Sequence, residues 1–307
     1  MAKGIAHLSL VALLLLQGAA TLNIPPGFSR IIFEDDFANQ TANSQPSTSK
    51  WTFSTGTSYP GGPARWGTNE VQTYTSSRQN VAITSSGTLR ITPLSTNGQW
   101  TSARLESAPQ HDVACPAGGR LRIEASIKFG SAPAETQMGI WPSFWAMGAP
   151  FRGQYAQWPA AGELDIAESV SGVSRVWNVL HCGWVPGGPC DEYNGRSRTA
   201  NFPRGRFGTF AVEIDRSNTT AGWRGETVTW FIDGVKNFQI SGSEMGSEEW
   251  VWTAVTRNPK FLILNVAVGG DFPDNVENPS RAKTPTSATR GGEGASMEVR
   301  YVAVFST

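Results

Sequence analysis

The chain carries no surplus of charge. Lys plus Arg and Asp plus Glu both number 25 among 307 residues, giving a formal net charge of zero, and no basic run breaks the balance. Nucleic acid and anionic membrane surfaces draw on clustered Lys and Arg, so neither is an expected partner. Histidine is scarce, at three. Cysteine also numbers three, at Cys115, Cys182 and Cys190, with spacing poor for zinc. Long apolar runs are absent. The one marked stretch, Leu8 to Leu16, is too short to span a bilayer, which takes about 20 apolar residues. With Lys3 before it and Gln17-Gly18-Ala19-Ala20 after it, that stretch predicts a secretory signal peptide over residues 1–20. The mature chain, 21–307, is then expected outside the cell. There Cys182 and Cys190 suit a disulfide closing a short Pro/Gly-rich loop, with Cys115 left free and buried or drawn into a different pairing. Two sequons, at Asn39 and Asn218, lie in polar stretches suited to surface loops.

Long helical periodicity is also missing. In its place are short β-type runs: Thr88–Thr92, Leu121–Phe129, Phe210–Asp215, Thr227–Ile232, Phe261–Val268 and Met297–Phe305. Asp233-Gly234 directly after Thr227–Ile232 marks a hairpin. Alternation in the last run puts Val299, Tyr301 and Phe305 on one face. Residues Asn275 to Ala295 read as one long loop. With no repeat and no break in composition, these runs predict a single all-β domain, a sandwich or barrel.

What is abundant is tryptophan, at 12, and one unusual strand, Glu163-Leu164-Asp165-Ile166-Ala167-Glu168. Glu163 and Asp165 point the same way along a strand, whereas Glu168 should point the other way. A β-bulge would return it to the shared face. Three acids on one face repel one another, so chemistry explains them better than solvation does. Paired carboxylates flanked by tryptophans suit sugar hydrolysis, because sugar rings stack on aromatics and their hydroxyls bond to polar side chains. A retaining reaction needs the two carboxyl groups about 5–5.5 Å apart. Four effective strand steps separate the Cα atoms by about 13 Å, so the two Glu side chains must lean together.

The hexapeptide resembles the signature of glycoside hydrolase family 16 in its bulged, laminarinase-like form. Glu34-Asp35-Asp36-Phe37, the segment Trp66 to Thr75, Ser102-Ala103-Arg104, Trp141-Pro142-Ser143-Phe144-Trp145, Leu262 to Gly270 and Val299 to Phe305 resemble other family segments in order. The resemblance covers nearly the whole mature chain. It implies a concanavalin-like β-jelly-roll sandwich of two antiparallel sheets, with a concave cleft for polysaccharide. It implies Glu163 as nucleophile, Asp165 as assisting acid and Glu168 as general acid/base. It also implies Trp141 and Trp145 beside the donor-side sugars, and Asn69 and Arg104 bonding sugar hydroxyls. His181 would orient Glu168 or bond sugar, and Trp184 would wall the acceptor side. No cofactor or catalytic metal is expected. A structural calcium site of some relatives uses an acid on the last strand, where this chain has Arg300. The expected activity is a secreted, monomeric endo-hydrolase of β-1,3- or mixed β-1,3/1,4-glucan. The alternatives are a hydrolase of β-1,3-galactan, a non-catalytic glucan-binding lectin and a cell-wall transglycosylase.

Overall fold

The computed structural model describes residues 22–278 and 282–307, so the signal peptide expected over 1–20 lies outside the described residues. Two large antiparallel sheets make a jelly-roll sandwich. One sheet runs in the order Val235–Ser241, Thr227–Ile232, Phe207–Asp215, Arg120–Phe129, Met297–Ser306, Leu89–Ile91, Val81–Ile83, with Arg30–Asp35 pairing beside Met297–Ser306. The second runs Arg196–Asn201, Arg175–His181, Glu163–Glu168, Ile140–Gly148, Lys260–Val268, Arg104–Ser107, Trp51–Phe53. The chain crosses between the sheets repeatedly, so each sheet is assembled from distant segments. Apolar residues of their facing sides, among them Ile123, Ile127, Val212, Phe144, Leu164, Leu180 and Leu264, form the shared core.

The expected strands all form, with ends displaced by a few residues at most. Asp233 and Gly234 both adopt positive φ, at 49° and 75°, and join Ile232 to Val235 as the two-residue hairpin turn requires. The last strand differs from expectation. Its register shifts between Val299 and Tyr301. Val299, Val302 and Val304 therefore enter the core, while Tyr301 turns outward to donate to Glu124 at 2.7 Å. The bulge residue, Arg300, is exposed and lies over the Phe207 ring at 4.0 Å. A cation held there does not suit a metal ligand set.

A nine-residue helix, Glu249–Arg257, was not apparent in the sequence. It buries Val251, Trp252, Val255 and Thr256, two adjacent pairs four apart, which is too brief a repeat to stand out. The helix matters for the acidic strand. Gly162, at φ +79°, precedes Glu163, and a Cβ there would sit 3.1 Å from the Ala254 carbonyl and the Val255 Cα. Only glycine lets the chain pass so close beneath the helix while turning into the strand.

Candidate active site

The strand Glu163–Glu168 pairs with Ile140–Gly148 on one side and Arg175–His181 on the other. On the first side Trp145 faces Asp165, but the next residue, Phe144, faces Ala167. Ile166 is thus the extra residue of a bulge. Its side chain goes into the core with Leu164 and Ala167. Glu168 returns to the face of Glu163 and Asp165, as the sequence requires for three acids to meet.

A bulge leaves carbonyls without ladder partners. Here the Trp230 Nε1–H, from the opposite sheet, donates to the Asp165 carbonyl at 2.9 Å. The Asn178 side-chain amide donates to the Ile166 carbonyl at 2.7 Å and is held in turn by Asn237 at 2.6 Å. The kink is therefore fixed from across the core. Trp230→Phe removes the donor and strands a buried carbonyl, at an expected cost of about 1–3 kcal/mol. A urea unfolding midpoint equal to wild type would refute this.

The three carboxyl groups sit in low dielectric. Asp165 and Glu168 are 4% and 6% exposed. Burial, then the charges of Glu163 and Glu168, pushes the Asp165 carboxyl well above the ordinary aspartate value. The neighbouring Asp165 and Glu163 carboxyl groups can share a hydrogen bond only when one of them holds a proton. Glu168 is raised by burial to about 7, although Trp141 Nε1–H donates to it at 2.8 Å. Glu163 is raised by burial too. His181 and the Trp158 Nε1–H, donating at 2.7 Å, oppose that rise. The arrangement separates protonation states: Asp165 holds a proton, Glu168 sits near neutrality, and Glu163 has the donors and the cation that favour its charge.

Trp141 and Trp145 share the face of the acids. Trp145 Nε1–H donates to Asn265 at 2.8 Å, and Trp141 packs against Phe272 at 5.2 Å. Asn69 is exposed, with its amide donating to Asp271 at 3.0 and 3.1 Å. Arg104, expected to bond sugar hydroxyls, is only 4% exposed. Its guanidinium donates to Tyr59 at 2.6 Å and pairs with Glu106 at 3.4 Å. It also lies 4.7 Å from the Trp145 ring and 4.8 Å from the Trp66 ring. A cation this deep needs its carboxylate and phenol, so its place is underneath the rings.

His181 pairs across the strands with Glu163. Its Nε2 lies 3.5 Å from Asp165, an ion-pair distance, and Nδ1 lies 2.7 Å from Glu192. It therefore sits at the Glu163 end of the strand, and acts on Glu168 through charge rather than through the expected contact. Donor atoms of Glu163, Asp165 and His181 come within 4.8 Å of one another, close enough for a cation. Both ring nitrogens of His181 are directed at carboxylates, so a doubly protonated ring would have no lone pair for a metal. The disulfide Cys182–Cys190 is formed, with Cα atoms 5.4 Å apart, and Cys115 is free and buried. Trp184, inside that disulfide loop, is 43% exposed and stacks on Trp250 of the nine-residue helix at 6.0 Å.

Several groups on this face escaped the sequence reading: Trp158, Glu192, Asn265 and Tyr193, which stacks on Trp158 at 6.0 Å. Trp158 was visible in the turn before the acids, but nothing local marked its bond to Glu163.

No protein-family model matches the chain. A solved endo-1,3-beta-glucanase from Streptomyces sioyaensis superposes with a TM-score of 0.84 and 41% identity, over 94% of this chain and 99% of that one. A beta-glucanase from Rhodothermus marinus is 30% identical over 236 residues, which is 73% of this chain and 71% of that protein. Glucan endo-1,3-beta-glucosidase A1 from Niallia circulans is 29% identical over 90% of this chain. The chain spans 37% of that relative's length.

Proposed function

The chain belongs to glycoside hydrolase family 16, in its laminarinase-like form, and on that premise we propose that it is a secreted, endo-acting, retaining hydrolase of β-1,3-glucan or mixed β-1,3/1,4-glucan. The observation that carries the proposal is the bulge at Ile166, which gathers three acids of different protonation on one aromatic-lined face.

Glu163 attacks the anomeric carbon while Glu168 gives its proton to the leaving glycosidic oxygen. A covalent glycosyl-enzyme forms and the C–O bond to the leaving sugar breaks. Water then attacks the anomeric carbon, Glu168 takes its proton, and Glu163 leaves as carboxylate. Asp165 donates its hydrogen bond to Glu163 and leaves Glu168 as the acid facing substrate. Trp141, Trp145 and Trp158 present ring faces to sugar C–H groups. Asn69, bonded to Asp271 beside the Phe272 ring that packs on Trp141, would meet a longer sugar chain, and the exposed Trp184 would wall the acceptor side. Arg104 serves by fixing Trp145 and Trp66. Galactan hydrolysis and lectin-like binding lack a comparable observation, and all three acids are retained. Monomeric action, export directed by residues 1–20, and glycosylation at the exposed Asn39 and Asn218 complete the proposal.

Incubation with laminarin, lichenan and β-1,3-galactan, with products separated by length, tests the reading. Short oligosaccharides from the first two, initially of β configuration by proton NMR, are expected. Products only from galactan, or α-configured first products, would sink it.

A further inference from the structure

The Cys182–Cys190 loop carries a group that the reaction as described leaves unused. Glu192 lies two residues after Cys190, and its side chain is fully buried. One carboxylate oxygen accepts the Cys182 backbone N–H at 2.7 Å, and the other accepts His181 Nδ1–H at 2.7 Å. Its own backbone pairs with Gly187 through two bonds of 2.6 Å. The returning chain then lies against the imidazole. A Cβ on Gly195 would come within 2.8 Å of His181 Cε1. A buried carboxylate in such a place is costly unless a cation faces it, and His181 is the titratable group at its second oxygen.

We propose that Glu192 is a positioning residue that holds His181 as a doubly protonated imidazolium against Glu163 and Asp165, and thereby keeps Glu163 ionised for attack. The inference rests on Glu163 being the nucleophile. The groups facing His181 are Glu163, Asp165 and Glu168 on the acidic strand and Glu192 in the loop, with uncharged Trp158 at 5.6 Å. Arg196, at the start of the neighbouring strand, turns away to pair with Glu244. Burial alone would lower the imidazole. The Glu192 hydrogen bond, with the charges of Glu163, Glu192 and Glu168, reverses this and raises it above the ordinary histidine value. The charge is present at low pH and is lost as pH rises through that raised value. While present, it opposes the burial that would protonate Glu163.

The logic parallels a carboxylate that orients and charges a catalytic imidazole, except that here the imidazole serves as a fixed countercharge. It also gives the disulfide a functional reason: the loop it closes delivers the carboxylate.

The test is Glu192→Gln, isosteric and uncharged, with Glu192→Asp as the conservative partner. Carbon-13 NMR of the histidine ring carbons follows His181 directly, and assay on laminarin gives kcat and KM across pH. In wild type, His181 should titrate above the ordinary histidine range. In Glu192→Gln its titration should move down, kcat should fall about tenfold with KM little changed, and the acid limb of kcat/KM should move to higher pH. Glu192→Asp should recover part of each. A wild-type His181 that stays neutral where the enzyme is active overturns the proposal without any variant. So does a titration that ignores Glu192→Gln. A titration that moves while the acid limb stays in place refutes the link to Glu163. The nucleophile assignment is judged separately, by Glu163→Gln.

Discussion

Glu163→Gln is expected to lower kcat on laminarin by about four to five orders of magnitude, with substrate binding largely kept. The amide keeps the shape and still accepts a hydrogen bond from Trp158, whose Nε1–H reaches Glu163 at 2.7 Å. What it lacks is the charge that forms the glycosyl-enzyme. Glu168→Gln removes a different step. It leaves the nucleophile in place but takes away the proton the leaving oxygen needs. A substrate with an acidic phenol as leaving group needs no such proton. Glu168→Gln should therefore form the glycosyl-enzyme rapidly from an aryl β-glucoside and then stall, giving a burst of phenol. Glu163→Gln should give no burst. Added azide sharpens the contrast. It should rescue Glu168→Ala with a β-glycosyl azide, by attack on the covalent intermediate, and Glu163→Ala with an α-glycosyl azide, by direct attack. Swapped azide configurations would exchange the two roles.

The acidic strand shows how far local sequence reaches. Its need for a bulge follows from side-chain parity alone, since Glu163 and Glu168 are an odd number of residues apart. The position of the bulge at Ile166, and its fixation by Trp230 and Asn178, depend on residues 64 and 12 positions away in the chain, and nothing in the hexapeptide encodes them. The Asp233-Gly234 hairpin was legible because its conformation is carried by the two residues themselves. The last strand was not, because a bulge at Arg300 reverses the alternation read before it. Arg104 shows the same limit on function. A cationic residue in a resembling segment suggests contact with sugar, yet burial among Tyr59, Trp66, Trp145 and Glu106 sets its position. Glu192 was hidden for a related reason. Its meaning arises from the loop that folds it back onto His181, ten residues after Cys182 by sequence but adjacent in space.

Asp165→Asn should move activity and stability in opposite directions. Asp165 is held protonated by burial and by the charges of Glu163 and Glu168. Its folded value lies above its unfolded one, so its contribution is fully favourable only below the unfolded value near 4. As pH rises from there, folding must take up a proton that the unfolded chain has released. Each pH unit then costs about 1.4 kcal/mol until the raised folded value is reached. Asparagine is permanently uncharged and still has an N–H to offer Glu163, so it escapes that cost. The variant should melt at the same temperature as wild type near pH 4 and at a higher temperature near pH 8, the gap widening steadily between. Activity should fall by about two orders of magnitude. The amide cannot move its proton as Glu163 gains and loses charge. Because a neutral amide replaces a neutral carboxyl, the alkaline limb of kcat, set by Glu168 near 7 in wild type, should stay in place. Thermal melts in matched buffers and a pH–rate profile on laminarin measure both effects. A melting difference that does not depend on pH would mean that Asp165 is already ionised in the folded enzyme, and the division of labour among the three acids would have to be redrawn around a charged centre.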